Sequence, residues 1–279
     1  DPGMKSATTR VPSETAPSAK HPPRLDVGYG PTPKPLIRKM LSMARVGPND
    51  LLMDLGCGDG RIVIAAAKQF KCKGIGIDLD PKWVTVSRTR AQKAGVQGLV
   101  TFEQGDLFKA ELSKATVLTL YLRQSLNLRL RPRLFEVLRP GTRVLSVNHT
   151  FGRWRPDDVV SHGIHRGRLY VIPAHVAGTW RFSFKSPAPV TGMLTLRQRF
   201  QEVTGATMIP KGGSFKATRL HGAHLATHLT LRVGKKRVRF TIKATVKGNT
   251  MTGTAHGSHA KEALPFSATR TARTNIILK

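Results

Sequence analysis

The chain is poor in acid, nearly free of cysteine and without a long apolar run. Only 16 Asp+Glu stand against 46 Lys+Arg, giving a formal charge of +30 and a pI near 11.4. Two cysteines exclude a disulfide framework and any four-cysteine zinc or iron–sulfur site. No stretch approaches about 18 consecutive apolar residues, so no membrane-spanning helix is expected. What is present is ordinary: 39% hydrophobic and 22% charged residues, values that exclude wholesale disorder, collagen and a coiled coil. At roughly 150 residues per domain, 279 residues imply two domains, each able to bury a core without staples. The cation excess predicts attraction to polyanions and carries no information about fold.

Composition divides the chain in three. Residues 1–24 are rich in Pro, Ser, Thr and Ala without apolar periodicity, and read as a disordered arm. The chain opens on Asp1, so either Met4 is the start behind a few residues of vector origin or Asp1 is a processed terminus. Residues 25–175 alternate short apolar runs with helical patterns, the signature of a parallel α/β sheet. Helices are expected over 35–45, 61–70, 81–94 and 126–138. Strands are expected over 50–55, 74–79, 100–104, 116–122 and 142–147, with antiparallel strands in 159–174 closing the sheet. Residues 176–279 show only period-two alternation with Gly and Thr turns, and read as a small antiparallel β domain with hairpins at Val233–Arg237 and Lys247–Thr250.

The sharpest local signal is Asp54-Leu55-Gly56-Cys57-Gly58-Asp59-Gly60, set between a strand and a helix. Glycines at 56, 58 and 60 allow a sharp turn and let a ligand approach the backbone. Asp78 ends the second strand 20 residues after Gly58, where a carboxylate can hold a ribose diol. Asp106 follows the third strand and suits an adenine amino group. Asp54 and Asp59 within the loop would repel a pyrophosphate but would accept the amino group of a cationic ligand.

These residues resemble the class I S-adenosylmethionine (SAM)-dependent methyltransferases. DLGCGDG at 54–60, GIDLD at 76–80, QGDL at 104–107 and LRPGTRVLS at 138–146 are similar to four ordered motifs of that family, over about residues 25–175. The resemblance implies a Rossmann-like sheet and SAM as cofactor. A finer one, carried by YGPTP at 29–33 with DLGCGDGRIVIAAA, is to a bacterial branch near the ATP-synthase-type protein-lysine methyltransferases. It implies that Tyr29 and Thr32 lie at the methionine end of the cofactor, beside Asp54, Gly56, Gly58, Asp59, Gly60, Asp78 and Asp106. Asp78 departs from the usual Glu, and Thr119-Leu120-Tyr121-Leu122 lacks the Asn-Pro-Pro-Tyr of exocyclic-amine methylases.

SAM carries an activated methyl group, so the protein chiefly aligns an acceptor, and a dedicated base is not required. Tyr29 and Tyr121 are the candidates for lining the transfer site. His149 is a weak candidate base, and Cys57 is read as packing. His221, His224 and His228 read as a polar strand face, with no metal expected. In the basic segment Val238, Phe240, Ile242, Ala244 and Val246 alternate with cations, and 18 Lys+Arg face 2 Asp+Glu over 176–279. Parity gives each strand a core side and a cationic side, with the rings inward. A protein lysine is the preferred acceptor, with the basic segment docking an anionic partner. Two alternatives stand beside it. One is an RNA methyltransferase gripping phosphates through Arg197, Arg199, Arg232, Arg237, Arg239, Lys243 and Lys247; the other is a non-catalytic polyanion-binding module. A cytoplasmic location follows from where SAM is made, and an exported one would follow from a processed Asp1.

Overall fold

The computed structural model describes residues 30–184, 189–209, 212–258 and 260–279. The proposed arm, Tyr29 and Lys185 lie outside them. Two sheets account for the strands. In the first, β1 (Leu51–Leu55), β2 (Lys73–Asp78), β3 (Val100–Gln104), β4 (Val117–Leu120) and β5 (Arg143–Val147) are parallel. β7 (His165–Val171) runs antiparallel to β5, and β6 (Asp158–His162) to β7. The order β3-β2-β1-β4-β5-β7-β6 reverses direction between β1 and β4, the switch point outside which open α/β sheets bind ligands.

Apolar composition follows from burial on both faces. Leu52 and Val117 enter one core with α1 (Lys34–Met43), α2 (Arg61–Phe70) and α3 (Pro81–Lys93). Met53, Leu55, Leu118 and Leu120 enter the other, with α4 (Gln124–Val137) and the rings of Trp154 and Tyr170. α1 carries Leu36, Ile37, Met40 and Leu41 on its buried side. A Cβ on Gly167 of β7 would meet the Met40 side chain at 2.3 Å, so the helix crosses where the strand has no side chain.

The second sheet holds β8 (Gly178–Phe184), β9 (Val190–Arg199), β10 (Glu202–Ile209), β11 (Ser214–Phe215), β12 (Thr218–His221), β13 (His224–Val233), β14 (Lys236–Lys247), β15 (Thr250–Gly257) and β16 (Leu264–Arg273). The order β10-β12-β13-β14-β15-β16-β8-β9 closes on itself because β9 also pairs with β10. The result is an antiparallel barrel of eight strands with β11 bridging β10 and β13. Both expected hairpins form, with Gly234 and Gly248 at positive φ. Trp180, Phe182, Phe184, Phe240 and Phe266 fill the interior. The apolar void among them is about 20 Å³, too little for an organic ligand.

Closure corrects one expectation. In an open sheet the outward cations would share one face. In the closed barrel Arg197 and Arg199, on β9, lie four strands around from β14 and face the opposite way to Arg237, Arg239, Lys243 and Lys247. Arg199 is occupied there, donating to the Lys279 carbonyl oxygen at 2.7 Å. The buried turn residue Phe200 reaches out of the barrel to Trp154 and Phe135 of the first sheet's core.

Candidate active site

The site is built at the C-terminal ends of β1, β2 and β4. Beyond β1 the chain turns through Gly56, Gly58 and Gly60, all at positive φ, and enters α2. The N–H groups of Gly56 and Cys57 both donate to the Ile77 carbonyl, at 2.8 and 3.0 Å, which ties the loop to the end of β2. The Gly58 N–H donates to Asp78 Oδ2 at 2.8 Å, and the Asp80 N–H to Asp78 Oδ1 at 3.0 Å. Asp78 is thereby fixed by the backbone of both loops. Gly60 has φ +74°, and a Cβ there would stand 2.7–2.8 Å from Phe102 and Ser87. Gly60→Ala is expected to cost at least ~2 kcal/mol, combining left-handed strain with overpacking, measurable as a lower midpoint in urea.

A cleft of about 710 Å³ opens above this loop, within the range of small-molecule sites. It brings together Thr32, Asp54, the glycine loop, Asp78, Asp106 and Tyr121 from separate parts of the chain. Asp54 is buried, accepts a 2.7 Å hydrogen bond from the Thr119 hydroxyl, and is pushed up to about 7 by desolvation, with the Asp78 charge adding to the rise. Asp106 Oδ1 accepts from the Phe108 N–H at 2.9 Å and so holds its own loop. The Gly30–Thr32 segment crosses the opening: a Cβ on Gly30 would contact the Tyr121 ring at 3.7 Å, and the Thr32 carbonyl accepts from Arg61 Nη1 at 3.2 Å.

One expectation changes, and the others are placed. Asp59 lines the cleft but its carboxylate is taken, paired with Arg61 at 2.7 Å and with Arg90 of α3. Its role is to tie α2 to α3, leaving Asp54 as the loop carboxylate without a cationic partner among the described residues. Tyr121 lies one residue beyond β4, half-buried, where the Asn148 side-chain amide donates to its hydroxyl at 2.8 Å. Asn148 itself is held at φ 60° by its 2.7 Å N–H bond to the Arg166 carbonyl and by the Arg166 N–H donating to its Oδ1. Such strain in a non-glycine residue persists only where its surroundings impose it. His149 is 6.2 Å from Tyr121, ring centre to ring centre, and does not line the cleft.

Burial pushes the Cys57 thiol far up, the nearby Asp54 and Asp78 charges adding to it, so no nucleophile forms there. Among the described residues no three potential metal ligands cluster; His224 and His228 contact the hydroxyls of Thr245 and Thr241. Sequence reasoning missed the walls: Trp83, Leu107, Phe108, Leu126 and Arg129, the last stacked 3.9 Å over Phe108. Trp83 alone was signalled, standing behind the Asp80 cap and Pro81 that open α3.

The donor set fits a nucleoside carrying a cationic tail. A fixed carboxylate stands at the end of β2, an apolar slot lies beside Leu79 and Leu107, and Asp54 pairs with no guanidinium among the described residues. A pyrophosphate would meet that acid and the fixed Asp78. Comparison with known proteins agrees. The model of the ANTKMT methyltransferase domain matches residues 54–158. A protein-lysine N-methyltransferase of Saccharolobus islandicus is 38% identical over 154 residues, 53% of this chain and 96% of that protein. The chain belongs to the class I SAM-dependent methyltransferases.

Two further relatives sharpen the picture. The adenine nucleotide translocase lysine N-methyltransferase of Mus musculus is 32% identical, and the match spans 54% of this methyltransferase and 66% of the mouse protein. A crystal structure described as an RNA methyltransferase from Salinibacter ruber, in complex with S-adenosyl-L-homocysteine, is 50% identical with a TM-score of 0.52, covering 53% of this chain and 96% of that one. The family model stops at residue 158, before the barrel begins. This methyltransferase uses SAM as its methyl donor.

Proposed function

We propose that the methyltransferase modifies the ε-amino group of lysine in a protein. The carrying observation is the 38% identity to a protein-lysine N-methyltransferase across nearly its full length. Bound SAM supplies a methyl group already activated by a sulfonium. The remaining work is done by this chain's own side chains. Asp78, fixed by two backbone N–H groups, would hold the ribose, and Asp54 would face the amino group of the methionine tail. Leu122 and Leu126 make the wall beside Tyr121 apolar, which disfavours the ammonium form of an entering lysine and so favours the neutral nucleophile. With Asn148 donating to its oxygen, Tyr121 has its O–H and one lone pair left to orient that amine.

Tyr121→Phe is expected to lower kcat about ten-fold, the worth of roughly one hydrogen bond, with SAM affinity unchanged. Single-turnover methyl transfer and calorimetry on the same preparation separate the two effects. The acceptor class is tested by incubating lysate with enzyme and deuterated SAM, then reading label on lysine by mass spectrometry. A second reading, RNA as acceptor, draws on the name given to the 50% identical Salinibacter ruber structure. Label confined to RNA and abolished by nuclease would establish it and remove the lysine proposal.

A further inference from the structure

The barrel takes no part in the cleft, yet one side of it is chemically uniform. The registers of β13, β14 and β15 place Arg232 opposite Arg237, Thr230 opposite Arg239, Lys243 between Ala226 and Thr254, and Lys247 opposite Thr250. All five cations are exposed. Between them stand small hydroxyls, with Thr245 opposite Thr252 and Thr241 between His228 and His256. The outward positions of these three strands hold no acid, no Phe, Tyr or Trp and no large aliphatic side chain; His224, His228 and His256 are their only rings. None of the five cations makes a salt bridge to a described residue; the four salt bridges all belong to other arginines.

Each absence removes a class of partner. Protein interfaces centre on buried aromatic and apolar anchors, which this side lacks. A helix or hairpin seated in a membrane surface needs an apolar face to bury. Single strands are gripped chiefly by stacking bases on Phe, Tyr and Trp, and here the Trp and Phe rings point into the barrel. What remains is a row of exposed cations, with Arg237 and Arg239 about 6.8 Å apart along β14, Lys243 and Lys247 at about twice that interval, and Arg232 about 4.8 Å across from Arg237, separated by hydroxyls small enough to let a backbone approach. Arg, Lys and Thr are the side chains that hold phosphate oxygens without reading bases.

We propose that the outer side of β13–β15 binds the phosphate backbone of double-stranded nucleic acid without sequence preference, bringing the enzyme to acceptors held on that nucleic acid. The proposal does not depend on which atom receives the methyl group, because binding is measured without SAM or acceptor.

The test uses the full chain and random-sequence RNA and DNA duplexes of about two helical turns, read by fluorescence anisotropy across a salt series. Engagement of about four phosphates predicts a roughly hundred-fold loss of affinity from about 50 to about 200 mM salt. The quadruple variant Arg237→Gln, Arg239→Gln, Lys243→Gln, Lys247→Gln should flatten the log–log salt slope by about three to four. All four side chains are exposed, so its thermal midpoint and its calorimetric affinity for SAM should match the parent. Arg197→Gln, on the opposite side of the barrel, should bind as the parent does. The proposal is overturned if the quadruple variant keeps the parental slope, or if Arg197→Gln weakens binding equally. It is overturned too if the chain binds phosphatidylserine vesicles or polyglutamate but neither duplex.

Discussion

Asp78→Asn should weaken SAM binding by about a hundred-fold or more, a larger loss than its near-identical shape suggests. The carboxylate presents two oxygens, and each already accepts a backbone N–H, Oδ2 from Gly58 at 2.8 Å and Oδ1 from Asp80 at 3.0 Å. An amide offers one oxygen and one NH₂. Whichever way it is turned, the NH₂ meets one of those N–H groups donor to donor. One loop must therefore shift, and Gly58 sits at the centre of the glycine turn with φ +52°. The variant also loses the charge that would hold a ribose diol. Hydrogen bonds to charged groups are worth about 1.5–3 kcal/mol each, so losing one or two corresponds to roughly ten- to ten-thousand-fold in affinity. Asp78→Glu keeps both oxygens on a longer stem and should retain most of the binding. Calorimetric titration of the three proteins with SAM decides the matter: equal affinities for parent and Asn variant would show that Asp78 does not hold the cofactor.

The methyltransferase sheet was readable because its demands on sequence are severe. Strands covered on both faces must be largely apolar, as Leu51–Leu55 and Val117–Leu120 are apart from the mutually bonded Asp54 and Thr119, and a turn with three left-handed residues must use glycine at 56, 58 and 60. The side of each barrel residue was readable for the same reason, since period two leaves no freedom once the interior is chosen. Closure was not readable. It depends on β16, the last strand, pairing with β8, the first of the barrel, with Phe266 opposite Phe184, and no local pattern encodes a pairing across so long a separation. Partnerships across long separations were equally hidden. Arg90 neutralises Asp59 from 31 residues away, and Asn148 holds Tyr121 from 27 residues away. Composition at either end of such a pair says nothing about the other. Asp54 and Asp59 look equivalent in DLGCGDG, but only the fold shows that Asp59 is paired with two arginines while Asp54 accepts only from the Thr119 hydroxyl.

That difference makes Asp54 the source of a pH dependence. Burial raises its pKa from an ordinary 3.8 to about 7, with the Asp78 charge contributing and the Thr119 hydroxyl opposing. Between these two values the folded protein holds a proton that the unfolded chain has released. Stability without ligand must therefore fall as pH rises across that window and level off above it. Cofactor binding should run the other way. A cationic amino group beside Asp54 favours the carboxylate, so binding expels the proton, and SAM affinity should climb as pH rises toward about 7, by up to about ten-fold per unit. Above about 8 the amino group of SAM loses its own charge and the gain should reverse. Asp54→Asn cannot release a proton. Its affinity should be lower at neutral pH and flat below it, and its unliganded stability should no longer fall between about pH 4 and 7. Titrations in two buffers of different ionisation heat would count the released proton directly. A parent protein whose SAM affinity is flat over that range, or an Asn variant that keeps the parental slope, would place the titrating group elsewhere and leave Asp54 a buried acid with no part in holding the cofactor.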